Sequence, residues 1–241
     1  MSPAAPEAVA IAILAKAPIA GTVKTRLVMM LGVDGATLLQ ERFTRRMVEI
    51  ATAADVGPVK LWGSPDERHP LFQELGATFP LTLLRQPKGD LGARMIAAVL
   101  QAGRPTIVIG TDCPALTVEH LRSAAEALRS GADAVVFPAE DGGYVLIGLR
   151  HPEPTLFTDM AWGTDGVMLE TRRRITQRGL SSREPVQLWD VDRPSDVRRM
   201  QREGMTDLLA GLRPERGVAN PWLQVIAPTI QPGPEELKPQ P

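Results

Sequence analysis

Apolar runs of four to seven residues alternate with longer stretches of helical periodicity between residues 9 and 202, and that alternation leaves few architectures open. Residues 9–15 (VAIAILA) are almost continuously apolar, the pattern of a strand covered on both faces. Residues 34–54 follow with Ala36, Leu39, Phe43, Met47 and Ile50 on one helical stripe. Residues 59–62, 81–84, 106–110, 134–138, 144–149 and 186–189 read as further strands. Residues 70–75, 91–102, 165–177 and 195–202 read as helices, together with a helix capped by Thr117 that reaches residue 128. Residues 134–138 and 144–149 flank a Gly-Gly turn and can pair as a hairpin. The pattern predicts an α/β fold, a Rossmann-like three-layer α/β/α sandwich around a mostly parallel sheet.

Residues 8–210 are read as one domain, preceded by a short flexible lead at 1–7. From 211 to 241 the chain is rich in Pro and Gly and reads as a loosely ordered tail. Its apolar island at residues 222–226 could dock on the body or on a neighbouring subunit. The chain carries 27 basic and 28 acidic residues, which argues against bulk electrostatic binding of nucleic acid. No apolar run approaches the roughly 18 residues of a bilayer span, and the first residues lack the basic and apolar regions of a signal peptide. These features point to a cytoplasmic protein with no membrane partner, a monomer or a homodimer. With one cysteine, Cys113, the chain can form neither an internal disulfide framework nor a Cys-rich zinc site.

Five clusters carry candidate chemistry. The first, residues 11–27 (IAILAKAPIAGTVKTRL), sets Lys16, Lys24 and Arg26 directly after a buried strand, around a turn at Gly21. Gly21 lets backbone N–H groups approach a phosphate and the cations neutralise it; the alternative is a solvated basic loop. The spacing matches neither GxxxxGK[ST] nor GxGxxG, which disfavours a P-loop ATPase. The second, QPKGDLGARM, brings Gln86, Asp90 and Arg94 to a helix start, where free N–H groups can meet a nucleotide. Its alternative is a turn with Asp90 as the helix cap.

The third, Gly110-Thr111-Asp112-Cys113-Pro114, closes an apolar strand. A carboxylate at that sheet edge, near a phosphate site, suggests bridging Mg2+ or Mn2+; the alternative is a turn cap before Pro114. Cys113 reads as a small buried residue, because no His lies in these segments to activate it. The fourth, Glu140-Asp141-Gly142-Gly143-Tyr144, can contact an acceptor or sugar, and it is also a strong turn signal. The fifth, Asp190-Val191-Asp192, puts two carboxylates on one side of an extended segment. One of them could complete a metal site with Asp112, or the pair could cap the helix after Pro194. His69, His120 and His151 lack metal-ligand spacing.

Taken in order, KAPIAGTVKTRL, QPKGDLGARM, GTDCPALT, PAEDGGYVLIGL, WGTDGVMLET and DVDRPSDV resemble the DUF2064 family over about residues 9–200. That family is assigned to glycosyltransferases, some in arsenosugar biosynthesis, within the nucleotide-diphospho-sugar transferase (GT-A) superfamily. Its relatives include 2-phospho-L-lactate guanylyltransferase and the molybdenum cofactor nucleotidyltransferases. The resemblance implies a phosphate-binding loop at Lys16, Gly21, Lys24 and Arg26, with Gln86, Asp90 and Arg94 near the nucleoside. It implies Asp112 and Asp192 as ligands of Mg2+ or Mn2+, and Asp141, Gly142, Gly143, Tyr144 and Trp162 near the acceptor or sugar. Lys24, Asp112 and Asp141 are the implied catalytic residues. The sequence departs from the family pattern at WGTD and at Phe137.

The expected activity is metal-dependent glycosyl transfer from a nucleotide sugar to a small-molecule acceptor. Nucleotidyl transfer from an NTP, with release of pyrophosphate, is the alternative. A non-catalytic nucleotide-binding protein is the second alternative.

Overall fold

The computed structural model describes residues 7–212. The N-terminal lead up to residue 6 and the tail from residue 213, with its island at 222–226, lie outside the described residues.

The first strand, β1 (Ala10–Lys16), is followed by a 3-10 turn (Thr25–Leu27), α1 (Val28–Ala54), β2 (Val59–Ser64), α2 (Pro70–Thr78) and β3 (Leu81–Arg85). Next come α3 (Leu91–Ala102), β4 (Thr106–Ile109), α4 (Val118–Arg129), β5 (Ala134–Pro138) and β6 (Tyr144–Leu149). A second 3-10 turn (Pro154–Leu156), α5 (Val167–Gln177), β7 (Ser182–Arg183), α6 (Pro194–Arg202) and α7 (Thr206–Leu209) complete the described chain.

The strands form one seven-stranded sheet in the order β3-β2-β1-β4-β6-β5-β7. The pairs β1–β2, β2–β3, β1–β4 and β5–β7 are parallel, whereas β6 runs antiparallel to both β4 and β5. Alternation along β1 explains the layers. Ile11, Ile13 and Ala15 pack with Met47 and Ala51 of α1, Phe72 of α2 and Leu121 of α4 on one face. Ala12 faces the other way, into a core with Met95 and Val99 of α3 and Met168 and Ile175 of α5. A strand buried on both sides has no polar face, which is why its sequence is nearly unbroken hydrocarbon.

Several helices follow local rules. Thr117 caps α4 through a capping box completed by the His120 side chain, so this histidine is spent on the helix start. His69 accepts from the Leu71 amide at the start of α2. Helix α1 begins at Val28, earlier than its stripe predicts, and is interrupted at Gly32, whose φ of 71° is not helical. The expected strand at 186–189 reduces to a single bridge between Leu188 and Ala139. Edge pairing to β5 is made instead by the two-residue β7, too short and polar to leave an apolar signature.

A third core cluster positions one end of the site. Val191, Val197, Met200, Leu208 and Leu209 pack on Leu27, Leu39 and Phe43, fastening the last described helices to the start of α1. This packing returns a segment distant in sequence to the carboxyl edge of β1.

Candidate active site

The chain proceeds outward from β1 through β2 to β3, then returns to place β4 on the other side of β1. Ligands of open α/β sheets bind outside the carboxyl ends of strands at such a reversal. Here the two carboxyl ends are Lys16 and the Gly110–Asp112 turn, and both line two adjoining cavities. One, of about 410 Å³, runs between Leu14, Gln86, Arg94, Met95 and Tyr144. The other, about 290 Å³ and more polar, is bounded by Thr22–Arg26, Gln40 and Asp192. Lys16 and Asp112 belong to both.

Charge in the polar cavity is tightly paired. The Lys24 ammonium lies 2.8 Å from Asp112 Oδ1 and 3.8 Å from Asp192 Oδ1, and donates to the Val191 carbonyl at 2.6 Å. Its side chain is only 4% exposed, and the ammonium sits 5.4 Å from the centre of the Phe43 ring. Arg26 donates to the other carboxylate oxygen of Asp192 at 2.9 Å and is itself exposed. The loop reaches this arrangement with Lys24 in the left-handed region, φ 46°, a conformation that costs a non-glycine residue roughly 1–3 kcal/mol. The Val191 amide donates to the Asp112 carbonyl, tying the two acidic segments together at 2.9 Å.

Asp112 is oriented from behind by a residue that the sequence motifs do not mark. Gln40 of α1 is 3% exposed; its amide donates to Thr111 Oγ1 at 3.1 Å, and that hydroxyl donates to Asp112 Oδ1 at 3.2 Å. The signal available in sequence was a polar side chain beside the apolar stripe of α1. Asp190 is a further acid near the pair. Burial, reinforced by the charges of Asp141, Asp192 and Asp112, pushes its carboxyl up to about 6.

The remaining candidates divide between the cavities and their supports. Gln86 donates its amide to the carbonyls of Ala15 and Trp62 and accepts from Arg94, while Arg94 also donates to the Gly89 carbonyl. Gln86 is thus committed to the protein backbone, and Arg94 is the side chain it holds against the larger cavity. Asp90 caps α3 by accepting from the Ala93 amide at 2.8 Å, the structural alternative offered by its turn. Gly21 sits in an open turn at φ 76°, with nothing within 4 Å of an added Cβ.

Asp141 accepts from the Gly143 amide at 2.9 Å, so its carboxylate also closes a turn. Tyr144 lines the larger cavity, and its hydroxyl lies 3.7 Å from the Met95 sulfur. Burial pushes the phenol's pKa up. Trp162 meets Tyr144 edge-on at 6.3 Å and packs against Gly92, where an added Cβ would stand 2.9 Å from the indole. Tyr144, expected near the acceptor or sugar, therefore lines the same cavity as Gln86 and Arg94, the residues expected near the nucleoside. Burial pushes the Cys113 thiol up to about 12, which leaves almost no thiolate at neutral pH for nucleophilic chemistry.

Asp112 and Asp192 fit a divalent cation in one respect: both contact the same ammonium, so the two carboxylates converge on a single point. Each is a hard, half-exposed oxygen donor, the type that Mg2+ and Mn2+ prefer. Among the described residues no group of three or more His, Cys, Asp or Glu side chains is arranged to hold a metal. An ion at this pair would complete its shell with water or phosphate oxygens, as Mg2+ in nucleotide sites commonly does.

The family model described as an uncharacterised protein conserved in bacteria (DUF2064) matches residues 47–164. Residues 47–164 belong to the DUF2064 family. The matched segment includes Arg94, Asp112 and the Asp141–Tyr144 turn, while Lys16–Arg26 and Asp192 flank it. A comparison with the curated proteins gave no match.

Among solved structures, a protein of Desulfovibrio desulfuricans G20, named as a candidate nucleotide-diphospho-sugar transferase, shares 27% identity at a TM-score of 0.74. That likeness covers 83% of this chain and 93% of the other. A nucleotidyl transferase from Methanothermobacter is 17% identical with a TM-score of 0.54, covering 83% of this chain and 99% of its own. The 4-diphosphocytidyl-2C-methyl-D-erythritol synthase of Anaerococcus prevotii DSM 20548 is 9% identical at 0.54, covering 81% and 98%. The last two are likenesses of fold. The fold of this chain is that of the nucleotide-diphospho-sugar transferases, the GT-A class.

Proposed function

We infer that the chain is a transferase using a nucleotide-activated donor, most specifically a glycosyltransferase acting on a small-molecule acceptor. The observation that carries this reading is the pairing of two cavities at one sheet edge. A largely apolar cleft ending in Arg94 meets a charged pocket built from Lys16, Lys24, Arg26, Asp112 and Asp192. A nucleoside has an apolar face and polar edges and suits the first; a diphosphate suits the second. The likeness to the Desulfovibrio protein supports a nucleotide sugar as the donor.

In this reading the exposed Arg26, Lys16 and the N–H groups around Gly21 bind the phosphates, and Arg94, held by Gln86, orients the nucleoside. Asp112 and Asp192 would hold Mg2+ or Mn2+, which when bound supplies positive charge to the diphosphate as it leaves. The protein's own share of rate enhancement is electrostatic. Fixed cations, aimed where negative charge develops, need no reorganisation during transfer. Asp112 is kept in position by the Gln40–Thr111 relay; Tyr144 lines the nucleoside cleft, and the turn of Asp141 and Gly143 that precedes it is assigned to the acceptor. Asp141 is the acidic group assigned there to the acceptor hydroxyl.

A thermal-shift panel of nucleotide sugars and NTPs, each with and without Mn2+, tests the assignment. A nucleotide sugar with Mn2+ should raise the midpoint by several degrees, as ligand well above its Kd stabilises by about 3 kcal/mol. A larger shift with an NTP would reassign the chain to nucleotidyl transfer, and no shift with any member would remove the donor-binding reading.

A further inference from the structure

Lys24 is an unusual phosphate ligand, because its ammonium is already used. Its three N–H donors face the Val191 carbonyl at 2.6 Å, Asp112 at 2.8 Å and, more loosely, Asp192 at 3.8 Å. Its side chain is almost wholly buried, lies over the Phe43 ring and is delivered by a left-handed backbone. A non-glycine residue held there, with its charge turned inward, is over-determined by its surroundings. It occupies the point on which the two carboxylates converge.

We propose that Lys24 is the resident counter-ion of the Asp112–Asp192 pair and bars a divalent cation from it until a diphosphate arrives. The inference rests on the metal–diphosphate reading above and adds an order of binding to it. Among the groups in direct contact, two carboxylates balance one ammonium and the Arg26 guanidinium in formal charge, and a dication entering between the carboxylates is repelled at short range by Lys24. A diphosphate changes that balance. Its negative charge draws the dication in and offers Lys24 and Arg26 new partners, so the metal enters together with the nucleotide. The device keeps the carboxylates from capturing free cations and makes donor binding the event that assembles the site.

Titration of Mn2+ followed by its free-ion electron paramagnetic resonance signal tests this without turnover. Wild-type protein should bind Mn2+ alone weakly and at least tenfold more tightly with UDP or GDP present. Lys24→Met should bind Mn2+ alone at least tenfold more tightly than wild type. Lys24→Gln, which can still donate to the Val191 carbonyl and so preserves that contact, should show the same gain. If both variants bind Mn2+ alone no better than wild type, while wild type still binds it with a diphosphate, the counter-ion role is overturned and the metal–diphosphate reading stands. If wild type binds no Mn2+ with either diphosphate, the underlying reading fails and this inference with it.

Discussion

Asp112→Asn is expected to cut transfer at least a hundredfold while leaving the protein folded. Loss of one preorganised electrostatic group at a centre of developing charge typically costs that much. The amide is nearly isosteric and can still accept from Lys24, and the side chain it replaces is half in water, so the stability cost should be about 1–2 kcal/mol. Its effect on nucleotide affinity carries a distinguishing sign. With Mn2+ present, affinity should fall, because a metal-holding carboxylate is gone. Without metal it should hold or rise, because a negative charge facing the phosphates has been removed. Turnover measurements paired with nucleotide titrations in Mn2+ and in EDTA check both. Wild-type turnover in the variant would take Asp112 out of the mechanism.

Gly142→Ala should instead fail in the fold. Gly142 has a φ of 92°, and an added Cβ would lie 2.2 Å from the Asp165 carbonyl oxygen and 2.6 Å from its Cα. Both obstacles are backbone, so the loop before α5 must move away. That movement also breaks the bond that the Met168 amide donates to the Gly142 carbonyl at 2.8 Å. Left-handed strain and the clash together should cost about 3 kcal/mol or more, lowering the melting midpoint by roughly 6–12 °C for a chain of this size. Gly143→Ala is the control. Its Cβ meets only the Asp141 carboxylate, at 3.3 Å, so the change should stay within about 1 kcal/mol. Thermal unfolding of the two variants side by side separates a glycine required by close packing from one that merely follows it. Equal midpoints would mean that the turn is not locked against residue 165.

The fold was legible in the chain wherever periodicity ran long enough. The unbroken apolar run of β1 and the stripe of α1 announce a doubly covered strand and its helix, and α3 begins and ends where its pattern does. Less visible was the insertion of β6, antiparallel, between β4 and β5. Strand order depends on contacts between distant segments and leaves no trace in local pattern. The site was legible as a set of residues but not as a set of contacts. The loop after β1 advertised three cations facing phosphate, whereas one of them, Lys24, turns inward to two acids lying 88 and 168 positions further along the sequence. Pairing across that separation is created by the packing of Val191 and the last helices on α1. Asp90 and Gln86 illustrate the other limit, since a polar residue in a turn reads the same whether it serves a ligand or the backbone beside it.

The central claim is that an activated nucleotide lies across the carboxyl ends of β1 and β4, over both cavities. Amide hydrogen exchange, measured with and without Mn2+ and UDP or GDP, addresses it most directly. Exchange should slow in residues 17–27 and 110–113, and around Arg94, while the β5–β7 edge stays unchanged. Protection confined to other parts of the molecule, or unchanged exchange in these segments with nucleotide bound, would contradict the account.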